Sequence, residues 1–268
     1  MTESARHDAW SAGDSYNRYM GRWSRQIAPQ FLDWLDAPVG VDWLDVGSGT
    51  GALSAAIVAR CSPKSVLAID PSEGFLQTAQ GALSDERVQF RLGDAQALPA
   101  EAGSVDVIVS ALVLNFVPDR KMALGEMRRV GRPGALIGFY VWDYPGGGIE
   151  FIRAFWRAAI QLDSKVLDLM ESRRFPFCTP DELTALVKDA GLDVLDHALI
   201  EAPTIFQDFD DYWQPFTLGA GPAPGYCMSL KPDHRERLRQ KLAETLPRQE
   251  DGSIHLKARA WAVKAQVV

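Results

Sequence analysis

The stretch that decides the fold is residues 43–54, WLDVGSGTGALS, in which Gly47, Gly49 and Gly51 follow an apolar run. Glycine tolerates positive φ and lets a ligand approach the backbone without meeting a Cβ. The spacing satisfies G-x-G-x-G and, with Ala52, also the dinucleotide-binding pattern G-x-G-x-x-G/A. Since glycine-rich turns occur in many folds, the residues around this loop decide which ligand it fits.

Strand and helix patterns alternate along the chain around the glycine loop. In order, the strand patterns are VDWLDV, SVLAID, VQFRL, VDVIVSALV and GRPGALIGFYVW, and the helix patterns between them are ALSAAIVARC, GFLQTAQGAL and RKMALGEMRRV. Later, LDVLDHALIEA and IHLKARAWAVKAQV alternate like two strands that pair antiparallel. Because strands separated by helices form parallel sheets, we predict an α/β, Rossmann-like, mostly parallel seven-stranded sheet with helices on both faces and an antiparallel last strand.

Segments outside this alternation predict helical and aromatic lid insertions within a single domain, 1–268. Aromatic residues recur at helical spacing near the N-terminus, in a helix that Pro29 is expected to break or kink. The predicted parts are an N-terminal helical lid (1–40), a cofactor-binding core (41–142), a helical insertion (143–178) and an irregular aromatic insertion between the last two strands (203–250). Lids of this kind exclude water from a site when they close.

Composition argues against several classes of function. The formal net charge is -7, whereas nucleic-acid-binding proteins usually present a basic surface. No apolar run approaches the roughly 18 residues that a membrane span needs, and the cysteines have no metal-like spacing. We therefore expect a cytoplasmic protein with a small-molecule substrate, without nucleic acid, membrane span or bound metal. The oligomeric state stays open.

Three acidic residues accompany the glycine loop. Asp45 stands two residues before its first glycine, Asp70 ends the second strand pattern, and Asp94 lies in GDA after the third. With these acids, DVGSGTG and RVGRPGALI resemble motifs of the class I S-adenosylmethionine-dependent methyltransferases, in the small-molecule, quinone-biosynthesis-like branch (methyltransferase type 11). Ala135 replaces the second glycine of that branch's turn. The resemblance covers about residues 41–142 motif by motif and the final strands more loosely.

The resemblance implies S-adenosyl-L-methionine as cofactor and S-adenosyl-L-homocysteine as product. It implies that Asp70 accepts hydrogen bonds from the ribose hydroxyls and that Asp94 accepts one from the adenine amino group. Asp45 is expected to orient the loop amides or to reach the cofactor's ammonium. Hydrogen bonds to a charged acceptor contribute ~1.5–3 kcal/mol each. The implied cofactor-binding residues are Tyr16, Arg22, Asp45, Gly47, Ser48, Gly49, Thr50, Gly51, Asp70, Pro71, Leu76, Asp94, Ala95 and Ala111.

The methyl acceptor is expected to be a small hydrophobic or aromatic molecule that is methylated on O, N or C, because aromatic residues exceed what a bare methyltransferase core needs. Asn115 stands where the branch often carries a histidine, so a histidine base there is not expected. The candidates for a general base are Tyr140, Asp143, Tyr144, His197 and His234. The expected substrate-pocket residues are Tyr19, Trp23, Asn115, Phe206, Phe209, Tyr212, Trp213 and Phe216.

Alternative interpretations stay open from the sequence. An NAD(P)-dependent oxidoreductase has a comparable loop, and a protein methyltransferase or a cofactor-binding module without catalysis has a related fold. Single residues also have structural interpretations. Asp45 fits a turn residue, Asp70 before Pro71 fits a helix N-cap, and Asp94 fits a loop cap. The aromatic residues fit an ordinary packed core.

Overall fold

The computed structural model describes residues 17–219 and 221–268, so the predicted cofactor residue Tyr16 lies outside the described residues. Contacts between Cα atoms divide the chain into two compact units, which we call the sheet unit and the aromatic unit. The sheet unit comprises Ser24–Trp142, Phe177–Ile200 and Ala260–Val268, and the aromatic unit comprises Met1–Trp23, Asp143–Pro176 and Glu201–Arg259.

Seven strands of the described chain form one sheet in the order β3-β2-β1-β4-β5-β7-β6. Pairing is parallel from β3 through β5, whereas β7 pairs antiparallel with β5. The strands are β1 (Asp42–Val46), β2 (Ser65–Asp70), β3 (Val88–Leu92), β4 (Val105–Ala111), β5 (Gly131–Trp142), β6 (Asp193–Phe206) and β7 (Ile254–Gln266). The prediction of a mostly parallel, seven-stranded α/β sheet with an antiparallel last strand is confirmed.

The strand order reverses between β1 and β4, and this reversal determines where a ligand site can form. From β1 the chain adds β2 and β3 on one side, then returns to add β4 and β5 on the other. In open α/β sheets the loops diverge at such a switch point and leave a crevice at the carboxyl ends of the strands. The glycine loop follows β1, and the turn that carries Asn115 follows β4. The sheet therefore places both segments at the switch point.

Helices accompany the strands where the periodicity predicts them. The α-helices in the described residues are α1 (Arg22–Leu35), α2 (Ala52–Arg60), α3 (Glu73–Ala82), α4 (Arg120–Val130), α5 (Glu150–Leu162), α6 (Glu171–Arg174), α7 (Pro180–Asp189), α8 (Phe209–Trp213), α9 (Pro222–Ser229) and α10 (Pro232–Thr245). A π-helical turn, Asn17–Gly21, precedes α1. None of the helices described has the length and apolar content needed to cross a bilayer.

Pro29 lies inside α1, which continues to Leu35, so the predicted break at this residue is wrong. A proline in a helix interior removes one backbone donor. Here Ile27 and Phe31 on either side of it are fully buried. Phe31 packs over β5, where a Cβ on Gly138 would lie 3.0 Å from its ring. Side-chain burial of this extent outweighs the lost hydrogen bond and keeps the helix continuous.

The insertion predicted over 203–250 begins later and is more regular than expected. Strand β6 continues to Phe206, with Ala202, Thr204 and Phe206 buried while the residues between them are exposed. That alternation is the period of two expected of a strand. The remainder of the segment contains the helices α8, α9 and α10 rather than irregular chain.

Candidate functional site

The glycine loop turns sharply at the carboxyl end of β1. All three glycines have positive φ, 76° at Gly47, 54° at Gly49 and 84° at Gly51. The amides of Gly47 and Ser48 both donate to the carbonyl oxygen of Ile69 in β2, at 2.8 Å. Gly51 is the N-cap of α2, whose first N–H groups have no partner within the helix. The loop thus presents the N-terminus of α2 at the switch point.

The first two glycines are required for different reasons. A Cβ on Gly47 would lie 2.6 Å from Cγ1 of Val113, so the space beside this residue is filled by the segment after β4. A Cβ on Gly49 would have no atom within 4 Å. Gly47 therefore permits close packing between two segments, whereas Gly49 leaves open space above the loop.

This difference gives a prediction for the free energy of unfolding. Gly47→Ala is expected to destabilise the protein by about 3 kcal/mol, because it adds overpacking against Val113 to the strain of positive φ. Gly49→Ala is expected to cost about 1 kcal/mol, from backbone strain alone. Urea denaturation of both variants measures the difference, and equal losses would show that Val113 does not hold the loop.

Asp70, at the end of β2, joins the glycine loop to the next helix. Its Oδ2 accepts from the amide of Gly49 at 2.9 Å and its Oδ1 accepts from the amide of Ser72 at 2.8 Å. Burial raises the pKa of Asp70, and these two N–H donors offset part of the increase. The N-cap of α3 is Ser72 rather than Asp70, so the capping interpretation of Asp70 is wrong. Each carboxylate oxygen keeps a second lone pair for a ligand.

Asp45, in β1, is a fully buried carboxyl group beneath the loop. Its Oδ2 accepts from the hydroxyl of Ser54 at 2.6 Å, while its Oδ1 has no hydrogen-bond partner among the described residues. Burial, with a smaller contribution from the charge of Asp70, raises the pKa of Asp45 to about 7. Asp45 is predicted to orient the loop amides. The amide of Gly49 donates to Asp70 rather than to Asp45.

Asp94 lies after β3, one strand further from the switch point. Its exposed carboxylate accepts from the backbone and side-chain nitrogens of Gln96, at 2.8 and 3.3 Å. The amide of Gly93 donates to the carbonyl oxygen of Asp70 at 3.2 Å, which holds this loop beside β2. Asp94 therefore shapes its own loop, as the structural interpretation predicts, and its role toward adenine stays a prediction.

The other predicted cofactor residues of the sheet unit surround the same strand ends. The Ser48 hydroxyl is buried without a hydrogen-bond partner in the described chain. Leu76 and Ala95, the expected sandwich for an adenine ring, are largely buried, whereas Pro71 is exposed. Thr50 is buried in the loop and Ala111 is half-buried at the end of β4. Their contact with a cofactor stays a prediction.

The predicted substrate-pocket aromatics pack together in the aromatic unit. The ring of Phe151 contacts those of Tyr19, Trp23 and Phe206 at centroid distances of 5.8–6.1 Å. Tyr212 donates its hydroxyl to the carbonyl oxygen of Phe151 at 2.8 Å. All seven are nearly or fully buried: Tyr19, Trp23, Phe206, Phe209, Tyr212, Trp213 and Phe216. Mutual packing is enough to explain their burial, so a role in a pocket or lid stays a prediction.

Arg22, one of the predicted cofactor-binding residues, is paired with an acidic side chain. Its two terminal nitrogens bind both oxygens of Asp211 at 2.7 and 3.1 Å, and one of them also donates to the carbonyl oxygen of Ile205. The guanidinium lies 4.3 Å from the ring centroid of Trp23. These contacts give Arg22 a structural role within the aromatic unit.

Asp143, one of the candidate bases, is occupied by structural contacts. Its Oδ1 accepts from the amide of Gly146 at 2.9 Å, and its Oδ2 lies 3.1 Å from Nη2 of Arg259. Both carboxylate oxygens are therefore engaged by partners within the aromatic unit. The geometry therefore argues for a role in the turn after β5.

The remaining base candidates differ in their burial. Tyr140 is buried in β5, and Tyr144 packs against Phe175 with 5.2 Å between ring centroids. His197 and His234 are exposed. A role as general base stays a prediction for each of these four residues.

Several residues of the site are absent from the predictions. Ser54 supports Asp45, and the buried hydroxyl of Ser110 donates to the carbonyl oxygen of Val46 at 2.8 Å. Both serines interrupt otherwise apolar patterns, and that interruption is the available signal. Val113 has no such signal, because its partner Gly47 is distant in sequence.

Comparison with known proteins identifies the segment that carries this geometry. The family model Methyltransf_11, described as a methyltransferase domain, matches residues 44–139. Residues 44–139 are a methyltransferase domain. The methyltransferase domain extends from β1 to β5 and contains the glycine loop, Asp70, Asp94 and Asn115. Its class I, Rossmann-like fold and its resemblance to type 11 methyltransferases are confirmed.

Individual relatives of this chain are also named as methyltransferases. A demethylmenaquinone methyltransferase of Clavibacter sepedonicus is 40% identical over 103 residues, 38% of this chain and 41% of that protein. A malonyl-[acyl-carrier protein] O-methyltransferase of Geobacter sulfurreducens is 30% identical over 162 residues, 58% of each. The crystal structure of a candidate methyltransferase of Bacillus halodurans has a TM-score of 0.60 at 14% identity, covering 90% of this chain and 98% of that one, which shows the fold alone. Alignments to the first curated relatives span 41% and 53% of their lengths, so this chain matches about half of them.

Proposed function

We propose that the chain is an S-adenosyl-L-methionine-dependent methyltransferase that methylates O, N or C of a small organic molecule. The single observation that carries the choice of cofactor is the buried Oδ1 of Asp45, which lacks a partner in the described residues. A cationic donor, such as the ammonium of S-adenosylmethionine, would give this oxygen a hydrogen bond and an opposite charge. The anionic pyrophosphate of NAD would be repelled at the same place.

The residues at the strand ends fit the remaining parts of S-adenosylmethionine. Asp70 retains lone pairs for two ribose hydroxyls beside the Gly49 amide. The N-terminus of α2 suits the carboxylate, because its N–H groups and the helix dipole favour negative charge. The open space over Gly49 leaves room for the ligand to approach the backbone. Asp94 and Ala95 remain the residues proposed for adenine.

When bound, S-adenosylmethionine supplies an electrophilic methyl group on a sulfonium. The protein's part is to orient the acceptor in line with that group and to keep water out. A site with few charged groups near the acceptor favours the transfer, because the sulfonium loses its charge in the transition state. We propose that positioning of the acceptor is the protein's main contribution to the transfer.

A small organic acceptor is supported by two features. The formal net charge of -7 opposes binding to nucleic acid. One relative is named for the organic acceptor demethylmenaquinone, and another for a malonyl group carried on an acyl-carrier protein. The predicted preference for hydrophobic or aromatic molecules rests on the aromatic residues of the sequence, and a protein acceptor is the competing possibility.

Turnover distinguishes these acceptors. The protein is incubated with S-adenosylmethionine and either a panel of phenols, quinols and carboxylic acids or a panel of basic peptides, and release of S-adenosylhomocysteine is measured by mass spectrometry. We expect release with members of the first panel, and much slower release with Asp70→Asn at the same subsaturating concentration of S-adenosylmethionine. Methylation confined to the peptides would contradict a small-molecule acceptor.

A further inference from the structure

Asn115, in the sheet unit, is a buried amide that the described structure leaves without hydrogen bonds. Its side chain is 3% exposed, and neither Nδ2 nor Oδ1 has a partner in the described part of the chain. Buried side-chain polar atoms are satisfied in the large majority of cases, and an unsatisfied one requires an explanation. Here a donor and an acceptor on the same group are both unsatisfied, which points to a ligand that offers both.

The segment that carries Asn115 packs against the glycine loop through Val113. Leu112, directly after β4, has φ of 62°, a left-handed conformation that is strained for a branched side chain. Its amide donates to the carbonyl oxygen of Tyr140 at 2.8 Å. The chain then turns, and the amide of Phe116 donates a hydrogen bond to the carbonyl oxygen of Val113 at 2.8 Å. The side chain of Val113 fills the space beside Gly47. Strain of this kind concentrates at functional sites.

We propose that Asn115 binds the methyl acceptor and selects molecules whose polar group both donates and accepts a hydrogen bond, such as a hydroxyl or a primary amide. This inference rests on the proposed methyltransferase function. A hydroxyl accepts from Nδ2 and donates to Oδ1, whereas an ether or a hydrocarbon leaves Oδ1 unpaired. A site built to pair such a group discriminates strongly against analogues that lack it.

The acceptor is a better match for Asn115 than the cofactor is. The cofactor's ammonium and ribose are assigned to the carboxylates of Asp45 and Asp70, and its carboxylate to the N-terminus of α2. The Asn115 amide is neutral, which suits a neutral polar group on the acceptor. A neutral histidine would also offer one donor and one acceptor.

The first test uses the protein without ligand. Asn115→Leu removes two unsatisfied polar atoms at similar volume and is expected to raise Tm by about 2–4 °C. The matched control is Gln89→Leu on the exposed side of β3, which also replaces an amide by leucine and is expected to change Tm by less than about 2 °C. A fall in Tm for Asn115→Leu alone would assign the amide a structural role and overturn the proposal.

The second test measures recognition. Binding of phenol, anisole and toluene to the protein saturated with S-adenosylhomocysteine is followed by ligand-observed NMR. Wild type is expected to prefer phenol about tenfold, Asn115→Leu to bind the three within about twofold, and Asn115→His to retain the preference. An unchanged preference in Asn115→Leu overturns the proposal.

Affinity for S-adenosylhomocysteine separates this inference from the proposed function. Asn115→Leu is expected to keep the wild-type dissociation constant within about threefold. A loss above tenfold would place Asn115 against the cofactor and overturn its role toward the acceptor. Failure of the wild-type protein to bind S-adenosylhomocysteine would overturn the proposed function itself.

Discussion

Asp70→Asn is expected to weaken the binding of S-adenosylhomocysteine by about 100-fold. The carboxylate is held in place by the amides of Gly49 and Ser72, and we propose that it also accepts from both ribose hydroxyls. Two hydrogen bonds to a charged acceptor contribute ~3 kcal/mol or more, and each ~1.4 kcal/mol corresponds to a tenfold change in affinity. The asparagine is neutral and turns an NH2 group toward one of these donors.

The measurement is isothermal titration calorimetry on both folded proteins. The matched control is Asp85→Asn, which makes the same chemical change in the turn before β3, where Asp85 pairs with Arg87. The control is expected to keep the wild-type affinity. If Asp70→Asn bound S-adenosylhomocysteine within threefold of the wild-type affinity, Asp70 would have only a structural role in the glycine loop.

Asp45→Asn is expected to stabilise the ligand-free protein, and more so at higher pH. Burial raises the pKa of Asp45 from 3.8 to about 7, so the unfolded state loses this proton at lower pH than the folded state does. The stability that Asp45 contributes is therefore complete below about pH 4 and is lost as the pH rises from about 4 to 7. The shift corresponds to about 4 kcal/mol at pH 8, which the asparagine should recover.

Chemical denaturation of wild type and Asp45→Asn between pH 4 and 8 measures this dependence. The difference in free energy of unfolding should grow from under about 1 kcal/mol at pH 4 to about 4 kcal/mol at pH 8. Asp85→Asn is the control, and its effect on the free energy of unfolding should not change between pH 4 and 8. Arg87 lowers the pKa of Asp85 to about 2, so its contribution is present above about pH 4 and is lost as the pH falls toward 2. A pH-independent gain for Asp45→Asn would show that Asp45 is not an ionisable buried group.

Local sequence signals are sufficient to predict the sheet and the glycine loop. Strand alternation, the helix caps and the loop glycines act over a few residues, so a window of the sequence contains their cause. The positions of Asp45, Asp70 and Asp94 at the ends of neighbouring strands follow from the strand order, because parallel strands end at one edge of the sheet.

The contacts that the sequence does not predict join distant segments. Val113 beside Gly47 and Arg22 beside Asp211 become neighbours only through the tertiary fold. Pro29 illustrates the same limit, since the helix-breaking tendency of proline is local while the packing that keeps α1 continuous is not. Burial also decides which groups are left unsatisfied, so the unpaired atoms of Asn115 and Asp45 are visible only in the structure.

We propose that a buried carboxylate beneath the glycine loop selects an adenosyl ligand that carries an ammonium group. Calorimetric titration of the wild-type protein with S-adenosylhomocysteine and with NAD, at pH 6 and pH 8, tests it most directly. Because binding of the ammonium requires ionised Asp45, with its pKa raised to about 7, we predict binding of S-adenosylhomocysteine that is about tenfold tighter at pH 8 than at pH 6, and no binding of NAD. Binding of NAD without binding of S-adenosylhomocysteine would contradict the account.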